Sequence, residues 1–286
     1  MLSKFLNAPK LRRYEEDGRH ATWLELFFDL VLVAAIAQVG HLLINVDTLS
    51  DALTYVGLFW IIFWVWCGHT VYSTRFDTDD PIFRILTFLN MFALIVMAIE
   101  VHNAAHGHGL IFGIAYLSSR MVLIALLARA YIHVKEAKKI IKIYLVGFGT
   151  GALVWALSLF FHGPKIYWLW AISLGFEALI PWYIWKSQNE MKNINAEHIP
   201  ERFGLFTIIV LGENIFAVVM GLENLVWNIN ATLIAALSFI MAASIWWIYF
   251  QHTERAIGQI KLGSGQLISI AIFLYFLELS HWAQVP

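Results

Sequence analysis

Residues 23–41 read WLELFFDLVLVAAIAQVGH. A helix needs about 20 apolar residues to cross the hydrocarbon core of a bilayer, and this run is long enough. It also carries Glu25 and Asp29 one helical turn apart, followed by Gln38 and His41. Acidic groups inside an apolar span are expensive, so they require a partner or a function. Whether the run is a span or a soluble core helix is decided by the rest of the chain.

The chain has 286 residues, of which 60% are hydrophobic and 14% charged. A soluble domain is typically about 45–50% apolar and about 25% charged. The balance therefore points to an integral membrane protein whose immediate partner is the lipid bilayer. The formal net charge of −1 describes its loops, and nothing in the charge pattern suggests nucleic-acid binding. Cys67, the one cysteine, lies inside an apolar run and reads as a small core residue. No cleavable signal pattern precedes residue 23.

On the membrane template nine spans are expected, near 24–44, 52–72, 82–101, 110–129, 142–161, 165–186, 203–222, 231–250 and 266–284. Lipid-exposed backbone must bond internally, and the alternation of a membrane barrel is absent. The expected fold class is thus all-α, a polytopic helical membrane protein. With these spans, every Lys and Arg except Lys165 and Arg120 falls on the side of the N-terminus. Positive residues accumulate on the cytoplasmic side. The expected location is a bacterial cytoplasmic membrane, multi-pass, with the N-terminus inside.

An internal repeat is also legible. LELFFDLVLVAAIAQ aligns with PERFGLFTIIVLGEN, placing Glu25 over Glu201. The Trp-rich end of span two, with Trp64, Trp66 and Tyr72, lies over Trp246, Trp247 and Tyr249. Glu100 lies over Glu278, and all three anchors share nearly one offset. Six crossings separate spans one and seven, so the repeat is parallel, a relation found between transporter halves. The expected organisation is a cytoplasmic segment 1–22, a six-helix repeat 23–186, a linker 187–202 and a three-helix partial repeat 203–286. Further chain after Pro286, or a second copy in a homo-oligomer, would complete the second half.

The chemistry is expected where charge enters the spans. Arg120, Glu177, Glu213 and Glu278 lie well inside theirs, and Glu100 lies near the outer end of span three. A charge at the bilayer centre costs ~2.5–3.5 kcal/mol on insertion scales. Arg120 is expected to pair with one glutamate, leaving the others protonated, hydrated or cation-bound. On the cytoplasmic side stand Glu25 and Asp29, the RFDTDD segment with Arg75, Asp77, Asp79 and Asp80, and HIPER with Glu201 and Arg202. These read either as helix caps and ion pairs or as an acidic vestibule that concentrates cations. Gly147 and Gly151 offer a small-xxx-small face for close helix approach. Lys135 to Lys142 reads as a basic loop obeying the topology rule rather than a lipid site. His102, His106 and His108, and the pair Glu278 and His281, fall short of a converging metal set. No phosphate loop, nucleophile elbow or haem motif is present, so no cofactor or catalytic group is expected.

Taken together, LELFFDLVLVAAIAQ, RFDTDD, HIPERFGLFTIIVLGEN and WWIYF resemble the bacterial low temperature requirement A family, from Trp23 to His281. The residues that carry the resemblance are Glu25, Phe28, Asp29, Arg75, Asp77, Asp79, Asp80, Glu201, Arg202, Gly204, Gly212 and Glu213. Asn214 departs from the pattern, which leads one to expect a small or hydroxyl residue there. The resemblance implies a polytopic cytoplasmic-membrane protein linked to growth in the cold, with members usually longer than this chain. It implies no molecular mechanism. More distantly, FFD opening the first span is similar to the first pore helix of a lysosomal potassium channel family. The expected function is a proton-linked transporter of a small solute. A cation channel is the alternative, as is a non-transporting lipid-modifying or envelope-assembly protein.

Overall fold

The computed structural model describes residues 8–11, 22–42, 48–77, 79–161, 163, 165–186, 198–223 and 227–253. They are almost wholly helical. The helices are α1 (Trp23–Leu42), α2 (Leu49–Arg75), α3 (Pro81–Ala105), α4 (Leu110–His133), α5 (Lys138–Ser158), α6 (Lys165–Lys186), α7 (His198–Glu223) and α8 (Ile229–Ile248). A 3₁₀ turn, Lys135–Ala137, leads into α5, and a π turn, Tyr249–Thr253, extends α8. The short strands β1 (Lys10–Leu11) and β2 (Phe76–Asp77) pair antiparallel. Seven of the described helices, all but α6, contain a stretch long and apolar enough to cross a membrane. The expected ninth span lies outside the described residues.

Local chemistry starts these helices. Thr22 and Glu25 exchange side-chain and backbone hydrogen bonds in a capping box at α1. Thr48 and Asp51 do the same at α2. Asp80 accepts from the Phe83 N–H at 3.0 Å, and Pro81 follows it as the first residue of α3, where its missing N–H costs nothing. Asn228 caps α8. Gly107 and Gly163 turn the chain between α3 and α4 and before α6, both with positive φ that a side chain would resist.

The chain falls into two compact units, one containing α1–α6 and the other α7–α8. In the first, α3 packs on α1 and α4, and α5 packs on α4 and α6. α2 touches α1, α3 and α4, and every residue from 61 to 76 is buried. A helix covered on all sides is the core of its bundle. The outer faces carry the opposite composition. On α3, Phe88, Phe92 and Ile99 are exposed while Thr87 and Asn90 are buried. Apolar side chains outward and polar ones inward is the arrangement lipid demands.

Glycines set the α5–α6 distance. A Cβ on Gly147 would collide with Ile180, and one on Gly151 would stand 2.8 Å from Glu177 Cγ. This is the close approach expected of the Gly147/Gly151 face. Gly149, between them, meets nothing within 4 Å. Gly147→Ala is therefore expected to destabilise the protein by about 1–3 kcal/mol through overpacking. Gly149→Ala is expected to stabilise it by up to about 1 kcal/mol through helix propensity. Thermal unfolding of the two variants in detergent checks the opposite signs.

Candidate functional site: a charge pair inside the helix bundle

α2 carries Trp64 and Trp66, two residues apart and so pointing to opposite sides of the helix at about 100° per residue. Each indole holds a buried carboxylate. Trp64 Nε1 donates to Glu177 Oε2 of α6 at 2.7 Å, and Trp66 Nε1 donates to Asp29 Oδ1 of α1 at 2.7 Å. Both carboxylates are completely covered.

Arg120 of α4 completes the Glu177 side. Its Nε lies 3.1 Å from Glu177 Oε2 and donates to the Tyr116 hydroxyl at 2.8 Å. Tyr116 in turn donates to Glu177 Oε2 at 3.2 Å. The guanidinium lies over the rings of Tyr116 and Phe148, at 4.8 and 5.4 Å. Behind it, Tyr116 stacks on Trp155 and Trp155 stacks flat on Trp170. Trp155 donates to the Gly113 carbonyl, and Trp170 donates to the Ser158 hydroxyl. Gly113, Gly68 and Gly151 leave the room these side chains occupy: added Cβ atoms would meet Leu159, Leu123 with Arg120, and Glu177. Satisfaction is lopsided. Two hydrogen bonds and the Arg120 ion pair converge on Glu177 Oε2, while Oε1 and Arg120 Nη2 have no hydrogen-bond partner among the described residues. An unmatched polar atom in such a place is costly, because the low local dielectric does not replace the solvation it has lost.

A second polar cluster joins α2, α3 and α4. The Ser119 hydroxyl donates to Asn90 Oδ1 at 2.6 Å. Thr87 Oγ1 lies 3.4 Å from His69 Nε2 and donates to the Phe83 carbonyl. The His69 ring contacts Phe28 at 4.4 Å and stacks on Phe83. These uncharged residues were not singled out from the sequence. Their signal was available, since a polar side chain in an apolar span must face protein rather than lipid.

Arg120 thus finds its expected carboxylate, and the partner is Glu177. The other candidates lie elsewhere. Glu25 belongs to the α1 capping box, while Asp29, one turn on, turns inward to Trp66. Arg75 donates to the Tyr144 hydroxyl at 2.9 Å. Asp79 is exposed and bonds Arg84 through both carboxylate oxygens. Asp80 is buried and pairs with Arg129 through both of its oxygens. Both carboxylates are thus engaged with arginines. Glu100 is half-buried near the end of α3 and accepts from Asn103. In the second unit Glu213 is half-buried and Arg202 buried. The side chains of Asp77 and Glu201, and all of Glu278 and His281, lie outside the described residues. The His102 and His106 rings contact each other at a tilt of 43°, and no group of three metal-binding side chains occurs among the described residues.

The chain belongs to the bacterial low temperature requirement A family, whose model matches residues 20–279. It is 30% identical over 252 residues to an uncharacterized protein of Rhizobium meliloti (strain 1021). That match covers 86% of this chain and 62% of the relative, so the chain spans about three fifths of that relative's length. No solved structure matches. Family and apolar helices together make this an integral, multi-pass membrane protein.

Two outcomes follow from the pairs. Arg120→Met leaves Glu177 without its cation and is expected to cost about 3–5 kcal/mol, whereas Arg120→Met with Glu177→Met costs clearly less than the two single changes summed. Thermal unfolding of the four proteins in detergent reads this cycle. Asp80, outside the helices, behaves as a fold latch. Burial pushes its carboxyl up, but the Arg129 hydrogen bond and the Phe83 N–H outweigh that and hold it below the usual range. A carboxyl lowered by folding stabilises the fold above its ordinary titration range, near about 3.9, and loses that stabilisation as the pH falls through its folded value. Asp80→Asn is therefore expected to lower stability at pH 7 and to flatten its decline towards acid, measured as Tm against pH.

Proposed function

Starting from membership of a membrane family, we propose that the chain acts as a proton-linked transporter of a small solute. It sits in a bacterial cytoplasmic membrane with its N-terminus inside, and this sequence crosses nine times with its helices arranged as a parallel repeat. The orientation rests on the one-sided placement of Lys and Arg.

The observation that carries the reading is the Arg120–Glu177 pair. A buried ion pair is seldom more stabilising than apolar side chains of the same size, so stability alone does not account for it. An intramembrane ionisable residue marks a substrate, ion or proton pathway by default. Proton arrival at Glu177 would cancel its attraction for Arg120, and the Trp64 and Tyr116 donors would lose a charged acceptor. Proton binding is thereby tied to the contact between α4 and α6, so protonation would shift the balance between conformations that differ in that contact. Asp29, Glu213 and Glu278 remain further candidates for proton coupling. A cation channel with an acidic mouth is the alternative reading, in which Glu25, Asp79 and Asp80 take part in caps and ion pairs.

The test is flux in proteoliposomes with an imposed pH gradient, an internal pH dye and a broad panel of small solutes. At least one solute is expected to elicit proton movement, which Glu177→Gln reduces at least tenfold, about 1.4 kcal/mol, while still eluting as a single species. Absence of any solute-dependent flux sensitive to that substitution overturns the reading.

A further inference from the structure

α5 begins with an electrostatic mismatch. The unpaired N–H groups at the start of a helix carry partial positive charge, which favours acids there and disfavours lysines. Lys138 and Lys139 nevertheless open α5, no acid stands in its first turn, and no side chain caps it. The 3₁₀ turn before it adds Lys135, and Lys142 follows one turn on. Glu136 is the one acid between His133 and Lys142. Arginines at this end of the bundle are matched, Arg84 by Asp79 and Arg129 by Asp80. Lys138 lies over the Tyr131 ring at 5.3 Å. Lys135 and Lys142 are exposed and have no carboxylate partner among the described residues.

The tendency of positive residues to gather on one side of a membrane fixes their side, not the face of the helix they occupy. Here the face is defined. Positions 139, 142, 146, 149 and 153 recur at steps of three and four, and so form one stripe of α5. Lys139 and Lys142 are exposed at its head. Val146 and Leu153 are exposed below them, and a Cβ on Gly149 would meet nothing within 4 Å. From Lys142 to Leu153 the stripe is about 16 Å long at 1.5 Å per residue. The hydrocarbon of one leaflet is about 15 Å, half of the ~30 Å core. We propose that this stripe binds an anionic phospholipid, with its phosphate at Lys135, Lys139 and Lys142 beside the uncapped start of α5 and an acyl chain along Val146, Gly149 and Leu153. Charge complementarity selects the headgroup, and the apolar continuation of the same stripe selects a lipid over free phosphate. The lipid supplies what the start of α5 lacks, an anion. A zwitterionic lipid carries its own cation and offers the lysines less. The proposal needs only the membrane location and stands apart from the transport reading.

The test measures lipid binding to the full chain in an uncharged detergent by native mass spectrometry, using phosphatidylglycerol and phosphatidylcholine with the same acyl chains. The unaltered protein is expected to bind phosphatidylglycerol at least about tenfold more tightly. Lys135→Gln, Lys139→Gln and Lys142→Gln together are expected to reduce that preference below about twofold. Arg84→Gln on α3 with Lys165→Gln at the start of α6, both exposed, are the control and are expected to leave it in place. Equal binding of the two lipids, a preference that survives the triple change, or one lost equally in the control overturns the proposal. Inorganic phosphate is the free-anion arm. It is expected to displace phosphatidylglycerol no better than chloride at the same ionic strength, and selective displacement overturns the lipid as occupant. Should the triple variant fail to elute as a single species, the unaltered protein decides. A phosphatidylglycerol with a photoreactive acyl chain is expected to label residues 139–153 at least about threefold more than its phosphatidylcholine counterpart. Equal labelling by the two probes overturns the proposal.

Discussion

The bilayer interior offers no water, so every polar group carried into it must find its partner within the protein. In this chain that constraint falls on α2. Its buried half supplies one indole to Glu177 and another to Asp29, and so ties α6 and α1 to the same helix. Arg120 then brings α4 to Glu177, and Tyr116 spans both groups from the preceding turn of α4. Lipid tails are as apolar as leucine and give helices little reason to associate. Polar contacts and close packing therefore do what a hydrophobic core does in a soluble domain.

Close packing has its own prerequisite, the absence of side chains at defined points. Gly151 lets Glu177 lie against α5, Gly68 lets Arg120 lie against α2, and Gly113 accepts the Trp155 indole on its carbonyl. The charged residues and the glycines form one device. Each charge reaches its partner because a neighbouring helix has surrendered a Cβ. The stacked Tyr116, Trp155 and Trp170 fill the remaining space with rigid rings and keep lipid from the pair.

The membrane-type helices were legible because their signal is compositional and repeated. Hydropathy placed α1 to α8 within a few residues of their ends. The partner of Arg120 was not legible from charge alone, since Glu100, Glu177, Glu213 and Glu278 all qualified. Depth narrows the choice. At 1.5 Å per residue, Arg120 lies about 15 Å along α4 and Glu177 about 18 Å along α6, two helices that begin at the same end, while Glu100 lies only about 8 Å from the end of α3. The Gly147/Gly151 face adds that something must approach α5 closely. The centrality of α2 was harder to see. In a membrane protein an apolar helix faces lipid as readily as protein, so hydropathy cannot rank its spans. The distinguishing marks were His69, Thr70, Ser73, Thr74 and Arg75, polar groups on several faces of one helix and all of them buried.

Two arginine–carboxylate pairs in this bundle use the same chemistry to different ends. Asp80 caps α3, accepts from the Phe83 N–H and meets Arg129 with both oxygens, where Arg129 keeps partial contact with solvent. Its charge is matched group for group, as a structural latch requires. Glu177 meets Arg120 through one oxygen only, with both side chains fully enclosed. If holding helices together were the whole task, a forked contact like that of Asp80, or plain leucines, would do it with less strain on solvation. The proposed role of the Arg120–Glu177 pair rests on this half-matching in the least forgiving place. That difference in matching, more than the presence of charge, separates the candidate functional pair from the pair that only holds the fold.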